Sequence, residues 1–360
     1  MNRQMTLEKH AYNHYIGKKW LVLIILAVTL FVTVLIALFV GSSEMPFSEI
    51  VKVIFGGGGS AQRTIIFNVR MPRIATGIAV GLALAMAGCI MQNVLRNPLA
   101  SASTLGVSQG ASFGAAMAII YFGGGTQISN AATNAITFDN PYTVVICAFL
   151  GGIVTTILVL FLSRVTSVTP SVMILAGVAI SSLFTGATAL IQYFADDNKV
   201  AAVVYWTFGN LGRAGYREIT LMLTLSAGAF IYFILNRWNY NAMESGTNTA
   251  KSLGVNVDRI ILISMVVATL ISATAIAFVG TISFIGLVAP HIVRRFVGND
   301  YRFLIPGSAL MGAVVMIGAD IVSRMVKAPA ILPIGAITSF LGAPLFLYLI
   351  IKQGKRKLYD

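Results

Sequence analysis

The chain holds very little with which to do covalent or metal chemistry. Of its 360 residues, two are cysteine (Cys89, Cys147) and three are histidine (His10, His14, His291). Both cysteines sit far apart inside apolar runs, which argues against a disulfide framework and leaves two plain core thiols. No His, Cys or carboxylate group has metal-ligand spacing, so no metal is expected. There is no G-x-S-x-G nucleophile turn and no H-E-x-x-H helix. A phosphate-binding G-x-x-x-x-G-K-[ST] loop is missing too: GGGGSAQRT lacks the lysine and the GK of IGKKW lacks the first glycine. Charge is equally scarce, at 10% Asp, Glu, Lys and Arg, against the ~25% of a soluble globule. An enzyme, an ATP-binding chain and a soluble domain are all poor readings.

What fills the space instead is hydrophobic sequence, 57% of the chain, with a mean hydropathy of +0.85. A spanning helix needs roughly 20 apolar residues. Windows of that length, bounded by charges, prolines and glycines, predict ten spans: 20–40, 72–95, 104–122, 142–163, 169–194, 216–236, 259–280, 283–297, 303–325 and 332–351. The first follows a basic head with Lys18 and Lys19 and no small-residue cleavage site follows it, so it reads as an uncleaved span. The domain plan is a cytoplasmic segment 1–19, one transmembrane domain 20–351 and a cytoplasmic tail 352–360.

With the N-terminus inside and ten spans, 16 of the 25 basic residues fall on the cytoplasmic side, including the tail KQGKRK. The net charge of +13 then reports anionic lipid on the inner face and not nucleic acid. Nine basic residues remain outside, among them Arg70, Arg73 and Arg324, and these call for a reason.

Polar or broken segments mark where function would lie. PFSEIVKVIFGGGG, Pro46 to Gly59, predicts a short amphipathic helix with Ile50, Val53 and Ile54 on one face and a glycine end. In the second span Gly77, Gly81 and Ala85 form a small-residue stripe for close helix packing. Its end crowds Gln92, Asn93, Arg96, Asn97 and Pro98 into a bend that protein must shelter. FIGLVAPHIVRR, with Gly286, Pro290 and His291, is a second interrupted span and a weak internal echo of MQNVLRNPLA, a pairing found in transporters. His291 reads either as a proton-sensing gate or as a satisfied core histidine. Asp320 and Arg324, four apart, read either as an intramembrane functional charge or as a helical ion pair.

Taken in order, RMPR, AGCIMQNVLRNPLASASTLGVSQGA, YWTFGNLG, TAKSLGV, ISFIGLVAPHIVRR, ADIVSR and LPIGAITSFLGAPLFLYLI resemble the permease subunits of the iron-siderophore, haem and cobalamin importers, the FecCD-type ABC family. The resemblance runs from about Arg70 to Ile351 and departs locally at Ser101 to Thr104. It implies an all-α, polytopic type II ABC importer permease fold with ten spans in the cytoplasmic membrane of a prokaryote and both termini inside. It also implies a second permease subunit, two cytoplasmic ATPase subunits that bind the ATP and magnesium, and an extracytoplasmic substrate-binding protein; this chain itself would hold no cofactor.

By the same resemblance 239–258 is the coupling loop that meets the ATPase through Ala250, Lys251, Ser252, Leu253 and Gly254. Thr247 or Thr249 is expected to cap its helix, Gly254 to end it, and Ala250 and Leu253 to share an apolar face. Arg70, Arg73 and Arg324 match positions that dock the binding protein. Gln92, Asn93, Asn97, Pro98, Gln109, Pro290 and His291 are candidates for the path and its gates, and the fifth span is expected to line that path. The cargo implied is a ferric siderophore, then haem, then cobalamin. A secondary transporter driven by an ion gradient is the rival, with Asp320 as the one carboxylate well inside a span.

Overall fold

A computed structural model of the chain describes residues 2–41, 45–123, 126–130, 133–137, 140–165, 170–328 and 330–357. The start of the expected fifth span at 169 and the last three residues of the tail lie outside them. The chain opens with α1 (Asn2–Phe39), α2 (Phe47–Ile54), α3 (Ser60–Thr64), a π-helical turn (Ile65–Arg70), α4 (Met71–Val94) and α5 (Val107–Tyr121). A hairpin, β1 (Thr126–Asn130) with β2 (Thr133–Thr137), leads to α6 (Pro141–Val165), α7 (Pro170–Tyr193) and α8 (Asp197–Thr207). After a 3-10 turn (Leu211–Arg213) come α9 (Tyr216–Leu235), α10 (Arg237–Glu244) and α11 (Thr247–Ser252). The chain then runs through α12 (Val257–Val279), α13 (Ile285–Val297), α14 (Tyr301–Met325) and α15 (Ile334–Lys357).

Each of the ten expected spans coincides with a helix: α1, α4, α5, α6, α7, α9, α12, α13, α14 and α15. Seven of these are long and apolar enough to cross a membrane by themselves. The other three, α5, α13 and the apolar Ile334–Tyr348 part of α15, are shorter. Each shorter element packs against a longer one, which shelters the irregular backbone at its ends. The sequence reading did not resolve α8 as a helix or the hairpin β1–β2.

The bundle is built around α4, which packs on α14, α12, α13 and α9 and is buried almost throughout. Its small residues make this possible. A Cβ added at Gly81 would lie 2.5 Å from the Gly312 carbonyl oxygen on α14, and one at Gly88 would lie 1.9 Å from the Gly286 oxygen on α13. Backbone therefore meets backbone at both crossings, the close approach that small residues permit between membrane helices. Beyond α4, α5 and α6 cross in the same way at Gly110 and Gly151, and α7 closes that side.

One end of the bundle carries α10 and α11; the opposite end carries α2, α3 and the start of α4. In α2 Ile50 and Val53 are buried, but Ile54 is 41% exposed, so only two of the three expected residues share the inward face. The expected glycine end is present: Gly56 and Gly58 adopt φ of +91° and +82°.

Candidate functional site

At the α11 end, the expected short helices exist as α10 and α11, and they are braced. Asp300, the N-cap of α14, is the hub. It accepts from Lys19 of α1 (3.2 Å), from the Arg302 Nε and Nη2 atoms (3.0 and 2.8 Å), from the Arg302 backbone amide (3.1 Å) and from the Asn241 amide of α10 (3.3 Å). Burial by itself would raise the Asp300 pKa, but these bonds from Arg302 and Lys19 win and bring it from 3.8 down to about 2. Asn241 Oδ1 in turn accepts from the Tyr301 amide at 2.8 Å. On the other side Asn93 of α4 donates to the Tyr240 carbonyl (3.1 Å), and the Tyr240 hydroxyl meets Ser264 of α12 at 2.8 Å. The loop is thus tied to α1, α4, α12 and α14 together.

α11 ends as its sequence implies. Gly254 takes φ +83°, its amide donates to the Lys251 carbonyl (3.0 Å), and the Val255 amide donates to Ala250 (3.0 Å). These paired bonds close the helix around a left-handed residue. The start differs from expectation: Gly246 is the N-cap and no side chain caps it. Thr247 instead accepts from Arg96 at 3.4 Å. Nor do Ala250 and Leu253 share a face. Ala250 is buried against the bundle, while Leu253 is 68% exposed and Lys251 and Ser252 face outward with it. A large apolar side chain held outward on a braced helix is suited to a partner's pocket.

The bend after α4 repeats the closure of α11 without glycine. Arg96 sits at φ +47°, and the Asn97 amide donates to the Gln92 carbonyl at 3.1 Å. Asn97 Oδ1 accepts from the Leu99 amide (2.7 Å), and Pro98 is exposed beside it. Gln92 and the interrupted helix α13 meet directly: Gln92 Nε2 donates to the Gly286 carbonyl (3.3 Å), and Arg294 donates to Gln92 Oε1 (3.1 Å). Arg294 also approaches His291 Nδ1 at 3.3 Å, and the His291 ring stacks on Phe346 of α15, 5.7 Å between centroids. Gln92, Pro290 and His291 therefore form one constellation at the α4–α13 contact. Gln109 lies apart, between α5 and α7, and Asn93 serves the loop. Sequence reasoning missed Lys19, Tyr240, Asn241, Arg294 and Asp300. Of these only Asp300 left a signal, an acidic N-cap directly before the helix YRFL.

At the opposite end Arg70, Arg73 and Arg324, expected to dock the binding protein, lie close together and below the surface. Arg73 Nε lies 2.8 Å from Asp320 Oδ1 and Arg324 Nε lies 3.0 Å from Asp320 Oδ2, all with side chains less than a tenth exposed. Arg70 donates to the Leu38 and Phe39 carbonyls and Arg324 to that of Ala37, so both satisfy the open C-terminal carbonyls of α1. Two of the three arginines thus share one carboxylate. Arg324 Nη2 has no hydrogen-bond partner although it is buried, and a cleft of about 570 Å3 between α1 and α14 reaches this residue.

The FecCD transport family model matches residues 29–352. The chain belongs to the FecCD transport family. A Methanocaldococcus jannaschii protein provisionally named an ABC transporter permease, MJ0087, is 51% identical over 346 residues, 96% of this chain and 98% of its own length. The hemin transport system permease protein HmuU of Yersinia pestis is 32% identical over 298 residues, 81% of this chain and 85% of its own. A solved structure of a provisionally assigned metal-chelate type ABC transporter, inward-facing, superposes with a TM-score of 0.78 at 29% identity, covering 92% of this chain and 98% of that one. The fold of this chain is that of an ABC transporter permease, and among the described residues seven of its helices are long and apolar enough to cross a membrane.

Proposed function

We propose that this chain is the permease subunit of an ATP-binding-cassette importer in the cytoplasmic membrane, passing a ferric siderophore between itself and a second permease subunit by alternating access. The observation that carries the reading is the braced α10–α11 unit with Leu253 held outward. A separate ATPase seats on it from the cytoplasm, and its movement passes through Asp300 and Asn93 into α1, α14 and α4. Nothing covalent happens to the cargo. Haem or cobalamin is the alternative cargo within the same reading.

On the outer side the substrate-binding protein docks near Arg70, Arg73 and Arg324. The buried Arg324 Nη2, which has no partner among the described residues, supports an acidic partner there. Because these arginines already hold Asp320 and the end of α1, docking involves an exchange of partners. Against an ion-driven transporter stands the same cluster: both Asp320 oxygens are engaged by arginines, at 2.8 and 3.0 Å, which suits an ion pair between helices better than a site for a coupling ion.

The test is reconstitution in proteoliposomes with a cognate ATPase and substrate-binding protein from the same organism, supplied with a 55Fe-labelled siderophore. ATP-dependent, binding-protein-dependent uptake is expected. Uptake that survives ATP depletion and collapses with the ion gradient overturns the reading.

A further inference from the structure

α12 packs between α6 and α9, which scarcely touch one another among the described residues, and the gap between them is a groove of about 530 Å3. It opens on the side where the large apolar residues Ile146 and Leu221 are exposed. Its polarity is graded along its length. Tyr142, Arg217 and Glu218 stand at the mouth, where α6 and α9 begin. Deeper in, the walls are Phe149, Leu221 and Leu225, and the one polar residue there, Thr274, has its hydroxyl on the Leu270 carbonyl at 2.7 Å. A second cleft of about 340 Å3 continues from the mouth past Trp206 and Arg213, and shares Tyr142, Val145 and Glu218 with the first. The Tyr216 hydroxyl donates to the Phe67 carbonyl, so this mouth lies at the end of the bundle that carries α2 and α3.

We propose that this groove binds one phospholipid, with an acyl chain along α6 and α9 and the phosphate on Arg217 at the mouth. From Arg217 to Leu225 the α9 wall runs about 12 Å, close to the ~15 Å that one leaflet contributes to the hydrocarbon core. The groove therefore spans the depth that a chain occupies. Left empty, its lining would forfeit dispersion contacts, and water would find almost no partners in the deep part, so hydrocarbon is the occupant that fits. The mouth supplies the other half of an amphiphile's needs. Glu218 is the one carboxylate of the lining, and both its oxygens are already taken, by the Tyr142 hydroxyl at 3.0 Å and the Gly215 amide at 2.9 Å. Arg217 is exposed, and its side chain makes no hydrogen bond or ion pair with any described residue. Arg213 lines the adjoining cleft, so two guanidinium groups stand against one committed carboxylate. A guanidinium at headgroup depth is matched to a phosphate, which it can hold through two parallel N–H donors. The site goes beyond the importer reading and stands without it, since it needs only that the chain spans a membrane.

The test places the full chain in phosphatidylcholine nanodiscs with a trace of phosphatidylglycerol that carries a photoactivatable diazirine midway along one chain. Diacylglycerol with the same labelled chain is the probe without a phosphate. Ordinary boundary lipid is read on the exposed face of α1, at Ile24 and Val28. Expected is about tenfold more label on the peptides holding Ile146 and Leu221 than on α1 with the phospholipid, and no such excess with diacylglycerol. Arg217→Gln should remove most of the excess, and Leu221→Trp should remove it by filling the groove; both positions are exposed, and unchanged α1 labelling checks that each variant is folded. Label spread evenly over α1, α6 and α9 in the wild type overturns the site. So does an excess that diacylglycerol reproduces or that survives Arg217→Gln. Loss of the excess on adding inorganic phosphate alone would make the mouth a site for a free anion, which also overturns the lipid.

Discussion

Gln92 on α4 does the work of the amide that Pro290 on α13 lacks. In a regular helix the Gly286 carbonyl would accept from the N–H of residue 290, and proline has none. Gln92 Nε2 reaches that oxygen at 3.3 Å from the neighbouring helix, while Arg294 fixes the other side of the Gln92 amide. Replacing Gln92 by Leu should leave the Gly286 carbonyl unpaired and lower stability by about 1–3 kcal/mol. In the double variant Gln92→Leu/Pro290→Ala the restored amide should recover much of that loss. Thermal unfolding of the purified variants in detergent measures the cycle, and additive losses would show that the two residues are not coupled.

Asp320 is paired with two buried arginines, Arg73 and Arg324. Asp320→Asn should destabilise by about 3–5 kcal/mol, because it strands buried cations, whereas exposed ion pairs are worth far less. Arg70→Gln leaves Asp320 its two partners and keeps an amide donor for the Leu38 and Phe39 carbonyls, and so probes docking more cleanly than Arg324→Glu. It should weaken binding-protein association most clearly at low salt, where screening is least. Surface-bound binding protein titrated against salt reads this, with protein abundance as the control.

Leu253→Asp should abolish uptake while the chain stays inserted and abundant, since Leu253 touches little within this chain. Gly254→Val should do the same through geometry: φ +83° is strongly disfavoured for a β-branched residue. The assembled complex should then hydrolyse ATP without responding to loaded binding protein. Normal uptake in Leu253→Asp would remove α11 from the coupling role.

Much of this was legible because membrane segments announce themselves by length and composition. Gly81 and Pro290 likewise signalled a close crossing and a break, whereas the crossing at Gly88 was not singled out. The expected cap at Thr247 failed because Gly246 begins the helix and Arg96, from a distant segment, makes contact with the threonine. The partnership of Lys19 with Asp300, 281 positions apart, left no local trace. α8 escaped notice because at 11 residues it is far shorter than a spanning window, and Ile54 was misplaced because α2 is too short for its period to discriminate one turn.

α7 presents Leu175, Leu183 and Leu190 outward, 69%, 65% and 61% exposed. Spaced eight and seven apart they fall on one side of the helix. Single cysteines at these positions should cross-link two permease subunits in membranes. Labelling of all three by a lipid-soluble probe, with no dimer band, would place the subunit contact elsewhere.

Asp300 gives the braced loop a pH signature. Its folded pKa is about 2, below the ordinary 3.8, so it binds its proton less readily in the folded state than in the unfolded one. The stability it contributes is present in full above the unfolded value and is lost as pH falls from about 4 through about 2, roughly 2 kcal/mol in all. Asp300→Asn removes the charge at every pH and leaves Lys19, almost wholly buried, without its anion. The variant should therefore unfold at a lower temperature than the wild type at pH 7, and the gap should narrow as pH is lowered from 4 toward 2. A gap that stays constant down to pH 2 would mean that Asp300 acts by its shape and its N-cap bond, not by its charge.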